Sequence, residues 1–228
     1  ITIAPVNDAP TCSPTSIVTD EDTPGTATIS CSDVDGDPLA YALSGTSPNG
    51  ATTFDAATGK ITFAPNANWN GATTIAITAS DRTPPSSGLS VAASVAITVR
   101  PVNDPPTCTA VTIAGTEDTT TAQALSCSDP DGDAVTLSIA TQPANGSATI
   151  TGGSTLRYTP NLNFNGSDSV RVRASDGTLG AETTLPITIA PVNDAPTCSP
   201  TSIVTDEDTP GTATISCSDV DGDPLAYA

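Results

Sequence analysis

The chain carries the hexapeptide Pro5-Val6-Asn7-Asp8-Ala9-Pro10 near its start. The same hexapeptide returns at 191–196, and a version with Pro105 in place of the Ala returns at 101–106. The spacings are 96 and 90 residues, each the size of one small β-sandwich. Residues 1–42 also recur without a change at 187–228, an offset of 186 residues. A fixed period of this kind predicts a tandem array of repeated domains.

These repeats predict the domain boundaries. We expect residues 1–8 to be the last strand of a preceding repeat with its linker, 9–103 to be the first Ig-like repeat, and 104–193 to be the second. Residues 194–228 are then a truncated start of a third repeat, identical to the first. Such a piece cannot close a sandwich alone. Either a neighbouring chain completes it, or the segment is a window from a longer, nearly identical array, which the long identity favours.

Short alternating runs of Thr, Val and Ile, separated by Pro and Gly, predict an all-β fold and argue against disorder. The expected architecture is a linear array of tandem seven-stranded Ig-like or cadherin-like β-sandwiches. Alternation predicts that Ile75, Ile77 and Ala79 are buried in the first repeat, as are Val170, Val172 and Ala174 in the second. The seven predicted strands of the first repeat are roughly 11–18, 26–32, 39–44, 51–54, 60–63, 73–80 and 90–99.

The composition disfavours several classes of function. The chain has 25 acidic residues, 6 basic residues and no His, which gives a net charge of −19. An acidic surface repels nucleic acid and anionic membranes, and it attracts cations. Without His, the chain lacks the usual general base and the commonest transition-metal ligand. No apolar run approaches the roughly 18 residues of a membrane span. We therefore expect no enzyme, no catalytic residues, no nucleic-acid partner and no membrane insertion in this segment.

The six cysteines form three pairs with a constant spacing of 19 residues. If the first two strands of a repeat form an antiparallel hairpin, Cys12 faces Cys31 when the turn centres between Glu21 and Asp22. Sequence and register then agree on a disulfide within each domain, worth roughly 3 kcal/mol in the chain-entropy model. Buried free thiols are the alternative, and metal binding by two isolated Cys is disfavoured. The predicted disulfides are Cys12–Cys31, Cys108–Cys127 and Cys198–Cys217.

Acidic loops are expected to gather at the ends of the repeats. Ig-like topology places the N-terminus and the second-to-third-strand loop at one end of a domain, and the first turn and the C-terminus at the other. Alternating Asp around a Gly can direct several carboxylates at one point, and Ca²⁺ takes six to eight oxygen ligands. Calcium at the junctions is therefore expected, with plain turn formation by Asp, Asn and Gly as the alternative.

The candidate ligands fall into three groups along the chain. The group between repeats one and two is Glu21, Asp22, Asn103, Asp104, Asp129, Asp131, Asp133 and Asp176. The group at the next junction is Glu117, Asp118, Asn193, Asp194, Asp219, Asp221 and Asp223. The group that faces the preceding domain is Asp8, Asp33, Asp35, Asp37 and Asp81.

Five motifs recur in a fixed order: Pro-Val-Asn-Asp-x-Pro, Glu-Asp-Thr, Ser-Asp-x-Asp-Gly-Asp, a late Asn-Gly and Ala-Ser-Asp. Over the whole chain this pattern resembles the bacterial cadherin-like, Ig-like tandem repeats of large surface adhesins. The resemblance implies an extracellular or cell-surface location. Cadherins bind calcium through the first turn, the linker and the Asp-x-Asp loop, so the resemblance implies the same roles here. The chain departs from cadherins before the sixth strand, where Asn66, Asn68 and Asn70 replace acidic ligands.

The expected function is a structural stalk or fibre segment of an adhesin-like protein, stiffened by disulfides and junction calcium, with the neighbouring repeats as its partners. Two alternatives stay open. One is a self-assembling extracellular filament, in which copies of the chain associate. The other is an adhesive domain that binds a surface glycan or a protein receptor. That domain would need an exposed aromatic patch, for which Trp69 is the sole candidate. Trp69 aligns with Phe164, and we expect both to fill space between the sheets.

Overall fold

The structure is a computed structural model, and it describes residues 6–81 and 88–227. The chain divides into two compact units, 1–103 and 104–228. All regular elements of the described part are β-strands, and none of its residues form a helix that could cross a membrane. The predicted last strand of a preceding repeat falls mainly on residues 1–5, which lie outside the described residues.

Nine strands occupy the described residues of the first unit. In chain order they are β1 (Thr11–Cys12), β2 (Thr15–Asp20), β3 (Gly25–Thr28), β4 (Cys31–Ser32), β5 (Ala40–Gly45), β6 (Gly50–Asp55), β7 (Lys60–Pro65), β8 (Gly71–Ser80) and β9 (Ser90–Arg100).

Seven of these strands form a two-layer sandwich. One sheet has the order β2-β9-β8-β5 and the other the order β3-β7-β6. The pair β2–β9 is parallel, and the other pairs of both sheets are antiparallel. The two sheets enclose a core that includes Ile17, Phe63 and Ile77, all at most 1% exposed. The first unit is therefore a seven-stranded β-sandwich.

The second unit repeats this architecture. Its strands are β10 (Thr107–Cys108), β11 (Ile113–Thr116), β12 (Thr121–Ala124), β13 (Cys127–Ser128), β14 (Thr136–Thr141), β15 (Gly146–Thr151), β16 (Thr155–Pro160), β17 (Gly166–Ser175), β18 (Gly180–Ala190), β19 (Thr197–Cys198) and β20 (Cys217–Ser218). Its sheets have the orders β11-β18-β17-β14 and β12-β16-β15, so they match those of the first unit. The fold is all-β, with sandwiches in two successive domains.

Alternation correctly identified the core faces of the two ten-residue strands. In β8, Ile75, Ile77 and Ala79 are at most 2% exposed. In β17, Val170, Val172 and Ala174 are at most 1% exposed, while the residues between them are exposed. Each strand has one face on the core and one face in solvent, so the period of two confirms these predictions.

The predicted hairpin of the first two strands is wrong over most of its length. The predicted strand 11–18 is divided into β1 and β2, and 26–32 is divided into β3 and β4. β2 joins the four-stranded sheet beside β9, whereas β3 joins the three-stranded sheet beside β7. Only β1 and β4 pair with each other, in a two-residue ladder. In the first repeat Pro14 lies at the break, where it cannot donate a ladder hydrogen bond.

The cysteines pair as expected, since this short ladder keeps the predicted register. The directly opposite residues are Cys12 and Cys31 in the first repeat, and the same register recurs in β10–β13 and β19–β20. Disulfides join Cys12–Cys31, Cys108–Cys127 and Cys198–Cys217, each with a Cα–Cα distance of 4.0 Å.

Residues 194–227 form only the ladder β19–β20. The stretch 199–216 has no strand, although its sequence is identical to 13–30. Ile203 is 57% exposed and Ile215 is 54% exposed, whereas the identical residues Ile17 and Ile29 are 1% and 5% exposed in the first repeat.

Candidate cation sites at the ends of the repeats

The linker and the acidic loop of the first repeat are joined by hydrogen bonds. The Asp8 backbone N–H donates to Asp35 Oδ2 at 2.8 Å. Within the loop, Asp33 Oδ1 accepts from the N–H groups of Asp35 at 2.9 Å and Asp37 at 3.4 Å. Gly36 has a φ of 79°, which lets the loop wrap around the Asp33 carboxylate. The loop is therefore organised around one carboxylate, with a second one at its edge.

Asp81 is a fully buried carboxylate at the end of β8. Its exposed fraction is 0%, and its Oδ2 accepts from Asn7 Nδ2 at 2.7 Å. Among the described residues, nothing donates a hydrogen bond to Asp81 Oδ1 or to the buried Asp33 Oδ2. Asn7 directly precedes Asp8, so the linker connects Asp81 to the acidic loop. A buried carboxylate oxygen with no donor is costly unless a cation lies beside it.

The second unit contains the same linker–loop contact twice. Asp104 N–H donates to Asp131 Oδ2 at 2.8 Å, and Asp194 N–H donates to Asp221 Oδ2 at 2.7 Å. In these loops Asp129 Oδ1 and Asp219 Oδ1 accept from the two following Asp residues, as Asp33 does. The four distances are 2.9 Å and 3.3 Å for Asp131 and Asp133, and 3.0 Å and 3.3 Å for Asp221 and Asp223.

Glu117 is a buried acid just after β11. Its side chain is enclosed, with 2% exposure, and both carboxylate oxygens accept hydrogen bonds. Oε1 accepts from the Val192 backbone N–H at 2.5 Å, and Oε2 accepts from Asn165 Nδ2 at 3.2 Å. The backbone of Glu117 is held by Ala190, whose carbonyl accepts from the Glu117 N–H. These contacts fix the position of the Glu117 side chain at the end of the second repeat.

Glu21 has the same surroundings in the first unit. It is 3% exposed, and its Oε1 accepts from the Val102 N–H at 2.6 Å. Its Oε2 accepts from Asn70 Nδ2 at 3.4 Å. Asn70, which stands where cadherins have an acidic ligand, therefore donates to a glutamate instead of adding charge, and Asn165 does the same in the second repeat.

Three carboxylates converge in the second unit. One oxygen each of Glu117, Asp194 and Asp221 lies within 4.8 Å of the other two. Burial raises the pKa of Asp194, and the negative charges of Asp118, Asp221, Glu117 and Asp219 raise it further. Asp194 Oδ2 is buried and accepts no hydrogen bond from the part of the chain that the structure describes. Like charges held this close favour a bound cation or a proton.

A polar cavity of about 390 Å³ opens beside this cluster. Its lining residues are Asn163, Asp194, Ala195, Thr197, Ser218 and Val220.

Several predicted ligands have structural contacts of their own. Asp22 and Asp118 have φ near 57°, and each Oδ1 accepts a backbone N–H, from Asn68 at 3.0 Å and from Asn163 at 2.9 Å. They hold the loop before the sixth strand of the sandwich. Asp176 lies between β17 and β18, where its Oδ1 accepts from the N–H groups of the next turn at 2.6 Å. These hydrogen bonds are those of residues that shape turns and loops, and a role of these residues in calcium binding stays a prediction.

The remaining predicted ligands are distributed between the units. Asn193 Nδ2 donates to the Asp194 carbonyl at 3.2 Å, so its amide is engaged beside the cluster. Glu21, Asp22 and Asn103 belong to the first unit, and Asp104, Asp129, Asp131, Asp133 and Asp176 belong to the second. The meeting of these two sets stays a prediction.

The two aromatic residues before Asn-Gly pack inward. Trp69 is partly buried against the core of the first unit, and Phe164 is partly buried against the core of the second. This packing supports their expected role as fillers between the sheets.

Sequence reasoning missed two kinds of site residue. The backbone N–H of Val192 and the Asn165 amide both hold Glu117, yet neither was a candidate. A backbone donor leaves no mark in a sequence. The amide had one usable signal, since an Asn-Gly pair follows the Glu-Asp-Thr motif at nearly the same separation in both repeats.

Comparison with known proteins agrees with this architecture. Residues 7–101 match the bacterial cadherin-like domain, and residues 103–190 match the bacterial Ig domain. No curated protein matches the chain.

Solved cadherin structures share the fold. Human Protocadherin-24 EC1-2 is 19% identical with a TM-score of 0.51, over 81% of this chain and 100% of that one. The Protocadherin GammaB4 extracellular domain is 20% identical with a TM-score of 0.53, over 92% of this chain and 38% of that one. The chain thus contains two successive β-sandwich domains, the first similar to the bacterial cadherin-like domain and the second similar to the bacterial Ig domain.

Proposed function

We propose that this chain is a structural segment of an extracellular or cell-surface adhesin-like protein, in which calcium binds at the acidic ends of its repeats. The two domain families are those of adhesion-type and structural modules, which supports a stalk role over a catalytic one. The disulfides support an oxidising location outside the cytoplasm.

The observation that carries the calcium proposal is the convergence of Glu117, Asp194 and Asp221 within 4.8 Å. Asp194 Oδ2 is buried there, and no described residue donates a hydrogen bond to it. Asp81 provides independent support at the end of the first unit, because its carboxylate is fully buried and one of its oxygens likewise has no donor among the described residues. Uncompensated buried negative charge of this kind fits a resident cation.

The donor set selects among cations. The described cluster offers carboxylate oxygens, with the Asn165 amide beside it, and the chain has no His. All six cysteines are in disulfides, so no thiolate is available. Oxygen ligands on adaptable loops suit Ca²⁺, whereas Mg²⁺ demands a tighter octahedral shell and retains its waters. Zn²⁺ prefers nitrogen and sulfur ligands.

A bound ion would join two segments that are distant in sequence. Glu117 belongs to the second repeat, while Asp194 and Asp221 belong to the linker and to the loop that follow it. Without an ion these carboxylates repel one another, and with one they share a counter-charge. Calcium would therefore stabilise the second unit and restrain the start of the following repeat.

The first prediction concerns Glu117→Gln. We expect calcium, but not equimolar magnesium, to raise the Tm of the wild-type chain relative to chelator. An ion at about 100 times its Kd contributes roughly 2.7 kcal/mol. The Gln variant keeps an acceptor for the Val192 N–H but loses one charge of the cluster, so we expect its calcium affinity at this site to fall about tenfold or more.

Asp206→Asn is the matched control, because it removes one charge from an exposed position outside the cluster. Thermal unfolding and isothermal titration of all three proteins give the measurement. Equal calcium responses in wild type, Glu117→Gln and Asp206→Asn would exclude the cluster as the binding site. A wild-type Tm that calcium leaves unchanged would exclude the calcium proposal as a whole.

A further inference from the structure

Four Asn-Gly pairs occupy equivalent places in the two repeats. Their glycines are the first residues of β6, β8, β15 and β17, and the pairs are Asn49-Gly50, Asn70-Gly71, Asn145-Gly146 and Asn165-Gly166. An Asn before Gly is prone to deamidation, because a residue without a Cβ leaves its backbone nitrogen free to approach the Asn side chain. The structure divides the four pairs into two kinds.

The pairs before β6 and β15 have an anchored backbone. Asn145 is half-buried. Its N–H donates to Asp168 Oδ2 at 2.8 Å, and its carbonyl accepts from the Asn161 N–H at 2.9 Å. Asn49 is held in the same way on both sides, at 3.1 Å and 2.9 Å. Bringing the glycine nitrogen to the side chain requires rotation of the peptide between the two residues, and that rotation would break these bonds.

The pairs before β8 and β17 lack these anchors. Asn70 and Asn165 are exposed, as are the glycines that follow them. Among the described residues, no turn or loop hydrogen bond holds the backbone of either Asn. Gly71 and Gly166 have φ values of 134° and 117°, in a region that glycine adopts without strain. These two pairs are therefore the ones whose peptide is able to rotate.

A buried glutamate faces the side chain of each exposed Asn. Asn70 Nδ2 donates to Glu21 Oε2 at 3.4 Å, and Asn165 Nδ2 donates to Glu117 Oε2 at 3.2 Å. The two glutamates are 3% and 2% exposed. An amide donates to a carboxylate, whereas a second carboxylate repels it. The chemical state of the Asn side chain therefore decides whether the contact attracts or repels.

We propose that Asn70 and Asn165 are sites of spontaneous deamidation, which converts the donor facing each buried glutamate into a carboxylate. The glycine backbone nitrogen forms a bond to Asn Cγ and gives its proton to water. The Cγ–Nδ2 bond breaks, and the nitrogen takes up a proton and leaves as ammonia. Water then opens the resulting succinimide ring, at Cγ to give aspartate or at the backbone carbonyl to give isoaspartate. The net change consumes one water and releases one ammonia, and it needs no enzyme.

The reaction replaces a hydrogen bond with a contact between like charges at the end of a repeat. Glu21 also accepts from the Val102 N–H, and Glu117 also accepts from the Val192 N–H. Repulsion at either glutamate therefore acts on the segment that follows β9 or β18. No bound cation is needed for this effect, so each repeat would loosen at the same point as the chain ages.

The test follows deamidation of the full chain in chelator, by peptide mapping with mass spectrometry after incubation in water enriched in heavy oxygen. A parallel incubation in urea gives the rate of each site without the fold, and the ratio of the two rates is the protection of that site. We expect Asn49 and Asn145 to be protected at least about tenfold more than Asn70 and Asn165, because two hydrogen bonds must break first. Equal protection at all four sites, or earlier conversion of Asn49 or Asn145, would overturn the assignment.

Two variants measure the consequence of the added charge. Asn165→Asp reproduces the aspartate product, and Asn161→Asp adds the same charge at an exposed position in the same loop. In chelator, we expect Asn165→Asp to lower the Tm of the second repeat by about 4 °C or more, and Asn161→Asp to lower it by less than about 2 °C. Equal losses in the two variants would show that Glu117 does not sense the new carboxylate, and the proposed effect on the repeat would fail.

Discussion

At the scale of single residues, the two repeats fill equivalent core positions with different aromatic residues, which have different hydrogen bonds around them. Tyr158 is fully buried, and its single hydroxyl proton is shared between the Asn145 carbonyl, at 3.1 Å from the hydroxyl oxygen, and Asp168 Oδ2, at 3.2 Å. The first repeat has Phe63 at the equivalent position, and there the hydroxyls of Ser47 and Thr73 bond each other at 2.8 Å. In the second repeat a hydrogen bond to a charged carboxylate thus replaces a hydrogen bond between two neutral hydroxyls.

Asp168 holds the loop before β15. Its carboxylate accepts from the N–H groups of Asn145 and Ser169 at 2.8 Å and of Ala144 at 3.1 Å. Burial alone would raise the pKa of Asp168, but these three bonds and the Tyr158 hydroxyl outweigh burial and lower it. Conversely, burial and then the charge of Asp168 raise the pKa of Tyr158 to about 12.

The second prediction is that Asp168→Asn destabilises the second repeat by about 1–2 kcal/mol at neutral pH, since hydrogen bonds to a charged acceptor are lost. The carboxylate has a lower pKa folded than unfolded. Its contribution is therefore complete above the ordinary value of 3.8 and is lost as the pH falls through the folded pKa. Urea unfolding of wild type and variant at several pH values measures the difference.

Tyr158→Phe, which installs the residue of the first repeat, is the companion variant and should cost less than Asp168→Asn. The acid dependence assigned to Asp168 would be refuted by a wild-type-minus-variant difference that stays constant down to the lowest pH at which the chain folds.

At the scale of elements, the alternation of apolar and polar residues predicted which face of a strand is buried, but it did not predict which strand pairs with which. The core faces of β8 and β17 were predictable, because a strand between core and solvent alternates with period two. The sheet to which β2 and β3 belong was not predictable in this way. A pattern of inward and outward residues does not identify the partner strand. The partner of β2 is β9, which lies far along the chain and pairs with β2 in parallel.

In the candidate site, too, the sequence predicted some features and not others. Turn-forming Asp and Gly marked the acidic loops 33–37, 129–133 and 219–223, and all three wrap around their first Asp as such residues do. The burial of Glu117 and of Asp81 had no local signal, because it follows from strands that are packed against them in three dimensions.

The third prediction tests how closely β15 and β16 pack. A Cβ on Gly146 would lie 2.5 Å from the Thr159 carbonyl oxygen and 2.6 Å from the Tyr158 ring. We expect Gly146→Ala to destabilise the second repeat by about 1–3 kcal/mol through overpacking. Ser147→Ala, at the exposed next position, should change stability by less than about 0.5 kcal/mol. Chemical denaturation compares the two variants, and equal stabilities would show that β15 can move away.

At the scale of the whole molecule, charge is the dominant property. The chain has 25 acidic residues against 6 basic ones. The described residues contain two ion pairs, Arg100–Asp20 at 2.9 Å and Arg171–Glu182 at 2.5 Å. The side chains of both pairs are about one-third to two-thirds exposed, so each contributes at most about 1 kcal/mol. Most of the negative charge is therefore balanced by solvent ions or by bound cations.

The fourth prediction follows from this imbalance. In chelator, we expect the Tm to rise as KCl increases from about 0.01 M to about 0.15 M, because the Debye length falls from roughly 30 Å to roughly 8 Å. With saturating calcium the rise should be smaller, since bound ions already offset part of the repulsion. Tetramethylammonium chloride controls for specific binding of K⁺. A Tm in chelator that is independent of salt would contradict self-repulsion as a destabilising force.

The parallel pairing of β2 with β9 also determines when a repeat can fold during synthesis or export. The first long strand of a repeat is secured only by its last, so the sandwich cannot close until some 90 residues have left the ribosome or the export pore. Each repeat would then leave the pore as an extended chain and fold in a single late step.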